Sequence, residues 1–432
     1  MKSFSRRNFL KTGAIGVAGL TAWPLLKSCA TPVSDTIRLG IIGLGRQTNF
    51  LVHGFSNIPG VKIVAGCDVY EIKRQRFYWQ VKYYQEQLEQ NVEVDTYENY
   101  QDMIGRRDID AVVIVTPDHW HALQAIDACK AGKDIYLEKP LTFTIEEGKR
   151  VVKAVRDNNL ICAVGSQQRS DLSFQHAIKM VQEGRIGRVG KMSAWVGDPP
   201  SPYNLPEEQL PAGLDWDKWL GPNPYVHYNH KLNPPISLNP TQNETFWAQW
   251  RYFRETGGGS LCDWGAHNFD IGQWTLKKDN GGPVKVIPAG VDGHTHITYV
   301  YADGTIMVNE PFDAAQTFGV KYWGEDAWIE VQRGEFRASD PSLMPDDKNK
   351  DADVPYETAT PHLVDFIDSL RSRKDPIAPV EAGHRSGTLG ILGNIATDLG
   401  RALDWDPARE NFVNDTEAAR FLHRQYRDGY SL

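Results

Sequence analysis

The stretch IRLGIIGLGR, Ile37 to Arg46, decides the fold. Residues 37–42 read as an apolar strand, and Gly43-Leu44-Gly45 ends it in a tight turn before a helical segment. Such a turn lets backbone N–H groups approach a diphosphate at a helix N-terminus, where unpaired amides and the helix dipole favour an anion. The third glycine of the dinucleotide fingerprint would fall at position 48, and Thr48 stands there. Asp68 restores the pattern. It follows the next apolar run, VKIVAGC (61–67), at the spacing where a carboxylate meets the adenosine ribose hydroxyls and repels a 2′-phosphate. The pattern therefore points to NAD rather than NADP, held by Gly43, Leu44, Gly45, Arg46, Gln47 and Asp68. The plainer alternative for Asp68 is a strand-end turn residue.

Further apolar runs of strand length follow at 110–116 (DAVVIVT), 134–137 (DIYL) and 160–164 (LICAV). Helical stretches separate them, at 121–131 and 145–158. Strands that are apolar throughout, alternating with helices, predict a parallel sheet covered on both faces. A long helical stretch over 70–90 carries many aromatics, read as packing residues. After about residue 170 the character changes to a Pro-rich loop at 199–211 and a Trp-rich stretch at 216–251. The run THITYVYADGTIMV (295–308) has Asp303-Gly304 between two alternating segments, a hairpin signal. With 188–196 and 317–337 it predicts an open, mostly antiparallel sheet, and helices return at 361–372 and 384–402. The fold class is thus α/β plus α+β. A Rossmann NAD-binding domain is expected over 36–165, and a substrate-binding and oligomerisation domain over 166–432.

A chain of 432 residues is long enough for two cores, and 41% hydrophobic with 24% charged residues is the composition of a globular protein. A net charge of −8, with no basic block after Lys11, argues against a nucleic-acid partner. The apolar run 13–26 is too short for a confident membrane span and sits where the apolar part of a signal would sit. Ser5-Arg6-Arg7-Asn8-Phe9-Leu10-Lys11 before it matches the twin-arginine export pattern. Residues 1–29 are read as a signal and 30–35 as a linker. The expected location is the periplasm or a membrane-tethered position at the cell envelope, with no transmembrane span once the signal is removed. Leu26-Lys27-Ser28-Cys29 resembles a lipoprotein cleavage site, although Lys27 departs from the usual small or apolar residue. Acylation of Cys29 would tether the protein without making it span the membrane. The five cysteines show no close metal-type spacing, and the three that fall in expected strands or helices are read as small core residues rather than a disulfide framework.

Three stretches carry the chemistry: Thr116-Pro117-Asp118-His119-Trp120-His121, Glu138-Lys139-Pro140, and Gly257-Gly258-Gly259-Ser260-Leu261-Cys262-Asp263-Trp264-Gly265-Ala266-His267. In this order they resemble the glucose–fructose oxidoreductase / inositol dehydrogenase / rhizopine-catabolism (Gfo/Idh/MocA) family. LDWDKWLGPNP (214–224) and GHRSGTLGILGNIA (383–396) resemble an exported branch of it. The resemblance implies that Lys139 lies beside the nicotinamide and the substrate hydroxyl, and that Asp263 and His267 address the substrate. Spacing of i, i+4 would put those two on one face of a helix. His267, near neutral in its ordinary pKa, is the expected base, and Asp263 the orienting group. Asp263 has a rival reading, because Ser260-x-x-Asp263 is also a capping box. Thr116, Pro117, His121 and Glu138 are expected beside the cofactor, at strand C-terminal ends. Arg169, with Gln167 and Gln168, could reach cofactor or substrate after the sixth strand.

Aromatic faces pack on sugar C–H surfaces, so Tyr225 and Trp250, with Trp247 and Trp264, are candidate substrate contacts, while most of the 13 tryptophans should fill the core. His119 could be exposed, and no metal is expected from the scattered histidines. The resemblance also implies a homo-oligomer.

The function expected is an exported NAD-dependent oxidoreductase acting on a sugar or sugar derivative. Outside the cytosol no NAD pool reoxidises a released cofactor, so a tightly held, internally recycled NAD is expected. The alternative is an NAD-dependent glycosidase working by transient oxidation, elimination and hydration. A non-catalytic carbohydrate-binding protein is a third reading, supported only by Thr48.

Overall fold

The computed structural model describes residues 36–345 and 360–432. The twin-arginine stretch and Cys29 lie outside the described residues.

The first sheet is built from β1 (Ile37–Ile42), β2 (Val61–Cys67), β3 (Asp95–Tyr97), β4 (Ala111–Ile114), β5 (Asp134–Leu137) and β6 (Cys162–Val164). Its order is β3-β2-β1-β4-β5-β6, and every pairing is parallel. Alternate residues feed two separate cores. Leu39, Ile41, Ala111, Val113 and Tyr136 belong to one, and Ile42, Val112, Ile114, Ile135 and Leu137 to the other. This is why these strands read as unbroken apolar runs. β3 is mostly exposed and has no apolar run to announce it.

The crossovers are helical: α1 (Arg46–Ser56), α2 (Glu71–Gln87), α3 (Tyr100–Ile104), α4 (Asp118–Lys130) and α5 (Ile145–Asp157). α5 starts with a capping box between Thr144 and Glu147. Strand order reverses direction at β1 and β4, so their carboxyl ends flank the crevice where such sheets bind ligands.

Beyond it lie α6 (Leu172–Gln182), β7 (Val189–Trp195), α7 (Trp216–Leu220), α8 (Gly259–Asp263) and α9 (Gly265–Thr275). Strands β8 (Lys285–Ile287), β9 (Thr298–Val300), β10 (Ile306–Val308), β11 (Gly319–Gly324), β12 (Trp328–Gln332) and β13 (Glu335–Ala338) follow. The chain continues through α10 (Thr360–Ser372), α11 (Val380–Leu399), β14 (Leu403–Asp406) and β15 (Asn411–Phe412). The second sheet runs β13-β12-β11-β7-β10-β9-β8-β14-β15. Only the β7–β10 pairing is parallel, so the sheet is mostly antiparallel. The β9–β10 hairpin turns through Gly304 at φ +86°, with the Asp303 carboxylate accepting from Thr305 N–H.

α6, α8, α9 and α11 supply side chains to one core with this sheet, including Phe174, Leu261, Phe269 and Leu392. α10 behaves differently. Its Leu363, Phe366 and Ile367 pack into the core of the first sheet, with Phe366 against the rings of Phe55 and Tyr136. The described cysteines Cys67, Cys129, Cys162 and Cys262 are buried free thiols. Among the described residues no helix is long and apolar enough to cross a membrane.

Candidate active site

The glycine turn sits where β1, β2 and β4 end. Gly43 has φ +88°, and a Cβ there would lie 2.7 Å from Val115 C and Thr116 N, so only glycine fits. Leu44 N–H donates to Asp68 Oδ2 at 2.8 Å, and Tyr70 N–H donates to Asp68 Oδ1 at 2.9 Å. Asp68 thus fastens the turn and also lines the cleft beside it. The turn role is observed, and the cleft position leaves room for the ribose contact beside it. Thr48 is buried, and its Oγ1 donates to Gly43 O at 2.5 Å. The departure from glycine therefore braces the turn rather than spoiling it.

Gly43, Gly45, Arg46, Gln47, Asp68, Thr116 and Pro117 line one elongated cleft of about 260 Å³. Leu44 does not; its side chain points into the core. Gly45, the N-cap of α1, has open space above it, with nothing nearer to an added Cβ than Lys73 Nζ at 4.0 Å. An open helix N-terminus, a close-approach glycine and a strand-end carboxylate fit a dinucleotide.

A second cavity of about 190 Å³ adjoins it, sharing Gln47, Val115, Thr116, Trp247, Trp250 and Arg251 with the first. Glu138, Lys139, Asp263, Trp264 and His267 complete its wall. Lys139 Nζ lies 2.6 Å from Asp263 Oδ1 and 3.1 Å from Asp263 O. Asp263 is buried, but Lys139 and then Arg251, at 3.4 Å, outweigh that burial and hold its carboxyl below its usual range. Glu138 accepts from Gln47 Nε2 at 3.0 Å and from Lys139 N–H at 3.2 Å, while burial pushes its carboxyl up.

His267 is 4% exposed, and its Nδ1 is buried without a partner. Burial first, and then the cations Arg333 and Lys139, hold its imidazole well below the ordinary value. It is therefore a neutral imidazole in the wall of the second cavity.

The expected single helix is in fact two, because the chain bends at Trp264 between α8 and α9. At the bend His267 N–H donates to Trp264 O at 3.0 Å, a tighter i, i+3 turn, and both Asp263 and His267 still line the cavity. The capping box does not form. Ser260 Oγ donates to Val196 O at 2.6 Å, and Asp263 ends α8 rather than serving its start.

Several expected contacts lie elsewhere. Arg169 lines neither cavity. Its guanidinium is 1% exposed and chelates Asp270 at 2.7 Å and Asp279 at 2.7 Å, tying the turn after β6 to α9. Tyr225 is 69% exposed and lines neither cavity. His121 is buried and receives its contacts from backbone, with Nδ1 2.8 Å from Pro140 O and Nε2 2.8 Å from Thr116 O. It pins together the two loops that face the cofactor cleft instead of touching the cleft. His119 is fully buried, not exposed, between Trp219 O and Thr256 O. Gln167 does line the second cavity, with its Oε1 unpartnered.

Three residues escaped the sequence reading. Asp118, the first residue of α4, lines the second cavity at 3% exposure; burial, and then the charge of Asp263, push its carboxyl up to about 8. An acid in a helix's first turn reads as a dipole partner, which hid it. Arg251 stacks over Trp250 at 4.3 Å and Trp247 at 5.2 Å. Arg333, in the β12–β13 turn, lies over Trp264 at 4.7 Å. Neither arginine sits in a recognisable motif.

A six-stranded parallel sheet with this turn, opening into a lysine–aspartate–histidine cavity carried by a second α/β half, defines a nucleotide-dependent oxidoreductase fold. The profile of the oxidoreductase family's NAD-binding Rossmann fold matches residues 37–166, and that of its C-terminal alpha/beta domain matches residues 174–432. The chain belongs to the Gfo/Idh/MocA oxidoreductase family. A glycosyl hydrolase family 109 protein of Shewanella baltica (strain OS155) is 30% identical over 209 residues, 44% of this chain and 45% of that protein. An alpha-N-acetylgalactosaminidase of Shewanella oneidensis is 28% identical over 209 residues, again 44% and 45%. The chain thus aligns with less than half the length of these curated relatives. Among solved structures, the WlbA dehydrogenase from Bordetella pertussis in complex with NADH and UDP-GlcNAcA superposes with a TM-score of 0.60 at 21% identity, over 87% of this chain and 99% of that one. Myo-inositol 2-dehydrogenase from Lactobacillus plantarum gives 0.56 at 20% identity, over 85% and 99%. These superpositions show the shared fold.

Proposed function

We propose that this protein is an NAD-dependent oxidoreductase acting on a sugar or sugar derivative, with a tightly held cofactor that ends each catalytic cycle in its starting state. The observation that supports this best is the junction of the two cavities. The Lys139–Asp263 pair and His267 line a pocket that shares six wall residues with the dinucleotide cleft.

When bound, the nicotinamide supplies hydride acceptance and return. His267, a neutral imidazole, takes the hydroxyl proton of the substrate carbinol at its unprotonated ring nitrogen and later gives it back. Lys139 donates to the same oxygen, and Asp263 holds that ammonium in place. Trp250 and Trp247 contribute aromatic wall for a sugar ring, and Gln167 and Arg251 polar contacts for its hydroxyls. Asp68 in the cleft supports NAD over NADP.

Export of the folded, loaded protein through the Ser5–Lys11 signal is part of the proposal, and it requires internal recycling. A second reading is favoured by the glycosyl hydrolase relatives. In it, oxidation of a carbinol acidifies the neighbouring C–H, the aglycone leaves by elimination, water adds, and the ketone is reduced back. The test is to purify the protein without added cofactor, identify the released nucleotide, and incubate with aryl glycosides. Aglycone release without added NAD or net NADH supports the glycosidase. Turnover that requires a second, acceptor sugar supports the oxidoreductase. Absence of both, with no bound nucleotide, overturns the proposal.

A further inference from the structure

Lys73, on the first turn of α2, is 8% exposed, yet no carboxylate pairs with it among the described residues. Its described hydrogen bond goes to Asn233 Oδ1 at 2.6 Å. A lysine can only donate, so this contact fixes the amide orientation and leaves Asn233 Nδ2 to face another way. Asn233 is 3% exposed and its Nδ2 is buried without a partner. Both side chains line the dinucleotide cleft, and Lys73 Nζ stands 4.0 Å from where a Cβ on Gly45 would be. The Lys73 ammonium therefore stands beside the start of α1, with the Asn233 amide next to it in the same cleft wall. Burying such donors without an acceptor is unfavourable. A phosphate oxygen satisfies all of them.

Asn233 arrives from the second half of the chain. Segment 232–247 crosses the cleft and contributes Leu232, Pro234, Phe246 and Trp247 to its wall. It is fastened to the first sheet's helices. Arg76 and Glu244 form an ion pair at 3.1 Å with side chains 1% and 3% exposed. Arg46 donates to the Glu244 carbonyl, and Asn49 to Asn243.

We propose that Lys73 and Asn233 form a clasp on a phosphate of the bound dinucleotide, and that segment 232–247 must detach before the cofactor can leave. This rests on the dinucleotide reading of the cleft and supplies a physical cause for slow release. The phosphate is that of the diphosphate bridge or a 2′-phosphate, and the experiment separates them.

Release of NADH and of NADPH from the loaded full chain is followed by fluorescence, with adenosine binding as the phosphate-free control. Lys73→Met and Asn233→Leu should each speed release roughly 10- to 100-fold, the worth of a charge-assisted hydrogen bond, and leave adenosine affinity unchanged. Lys73→Arg should restore most of the retention. Arg76→Met, which lies outside the cleft wall, should also speed release of both nucleotides by freeing the segment. Faster release of NADH and NADPH alike assigns the clasp to the diphosphate, and an effect confined to NADPH assigns it to the 2′-phosphate. Unchanged release of both from folded Lys73→Met and Asn233→Leu overturns the clasp. Failure of the unaltered protein to hold either nucleotide overturns the cofactor reading itself.

Discussion

Lys139 and Asp263 stand 124 positions apart in the chain and meet at 2.6 Å. One follows β5 of the parallel sheet, and the other ends α8, which packs on the antiparallel sheet. Each half alone would leave a buried charge without its partner. The pair makes sense only when both halves enclose one pocket.

Lys139→Met should lower turnover by at least about 100-fold while nucleotide stays bound, since it removes the donor to the substrate oxygen. It should also destabilise the fold, by up to about 3–5 kcal/mol if the Asp263 carboxylate is left poorly paired. Lys139→Met/Asp263→Leu should recover part of that stability and none of the turnover. Denaturant unfolding and steady-state rates check both, and additive stability losses would show that the two residues are not coupled.

The imidazole of His267 is held far below its ordinary value, so kcat/KM should pass through pH 6.5 without the drop a normal histidine base would cause. Stability has its own acid limb. His119 is lowered to about 3 and His362 to about 4 by burial, and His121 is lowered as well. The unfolded chain binds these protons first as pH falls below about 6.5, so stability should decline from there downward. A rate profile that halves near pH 6.5 would show that His267 is not the base.

Asp118 works in the opposite direction. Its carboxyl keeps a proton in the folded state up to about pH 8, whereas an unfolded aspartate loses it near 3.8. Stability from this group is therefore complete below pH 3.8 and declines as pH rises toward 8. Asp118→Asn, which matches the protonated form in shape, should flatten that slope. The thermal midpoint of the variant minus that of the parent should grow between pH 5 and pH 8.5, and a constant difference would refute the raised value.

Gly43→Ala should abolish nucleotide binding, because its Cβ would press on the Val115–Thr116 backbone just after β4 at 2.7 Å in a positive-φ turn. Thr48→Val keeps the volume but removes the hydrogen bond to Gly43 O, and should cost about 1 kcal/mol of stability and weaken nucleotide affinity. Thr48→Gly should be no better than the parent, although it restores the fingerprint. Calorimetric titration with NAD tests all three.

Arg169→Met should act on stability, not on substrate. Removing the guanidinium leaves Asp270 buried without a counter-charge, at a cost of about 3–5 kcal/mol. KM in the folded fraction should match the parent. A raised KM with unchanged unfolding would return Arg169 to the substrate pocket.

The glycine turn at Gly43 and the strand-end position of Asp68 are legible in local sequence, whereas Lys139, Asp263 and His267 are singled out by resemblance to a family's motif order. Arg169 and Tyr225 show where that reasoning stops. Both follow promising motifs, but one is claimed by Asp270 and Asp279 and the other faces solvent. Sequence also concealed β3, most of whose residues are exposed, and, though it showed the helix α10, it carried no sign of which sheet that helix would cover.

By itself the sequence determined the parallel sheet, the glycine turn and the residue types that can move a proton and hold a sugar. Those depend on periodicity and backbone sterics within a few residues. Only the tertiary structure decided which charges meet. It set Lys139 against Asp263, buried His267 beside them, raised the Asp118 carboxyl, and brought segment 232–247 to the wall of the dinucleotide cleft. Pairing, burial and desolvation are properties of long-range packing, and no local pattern encodes them.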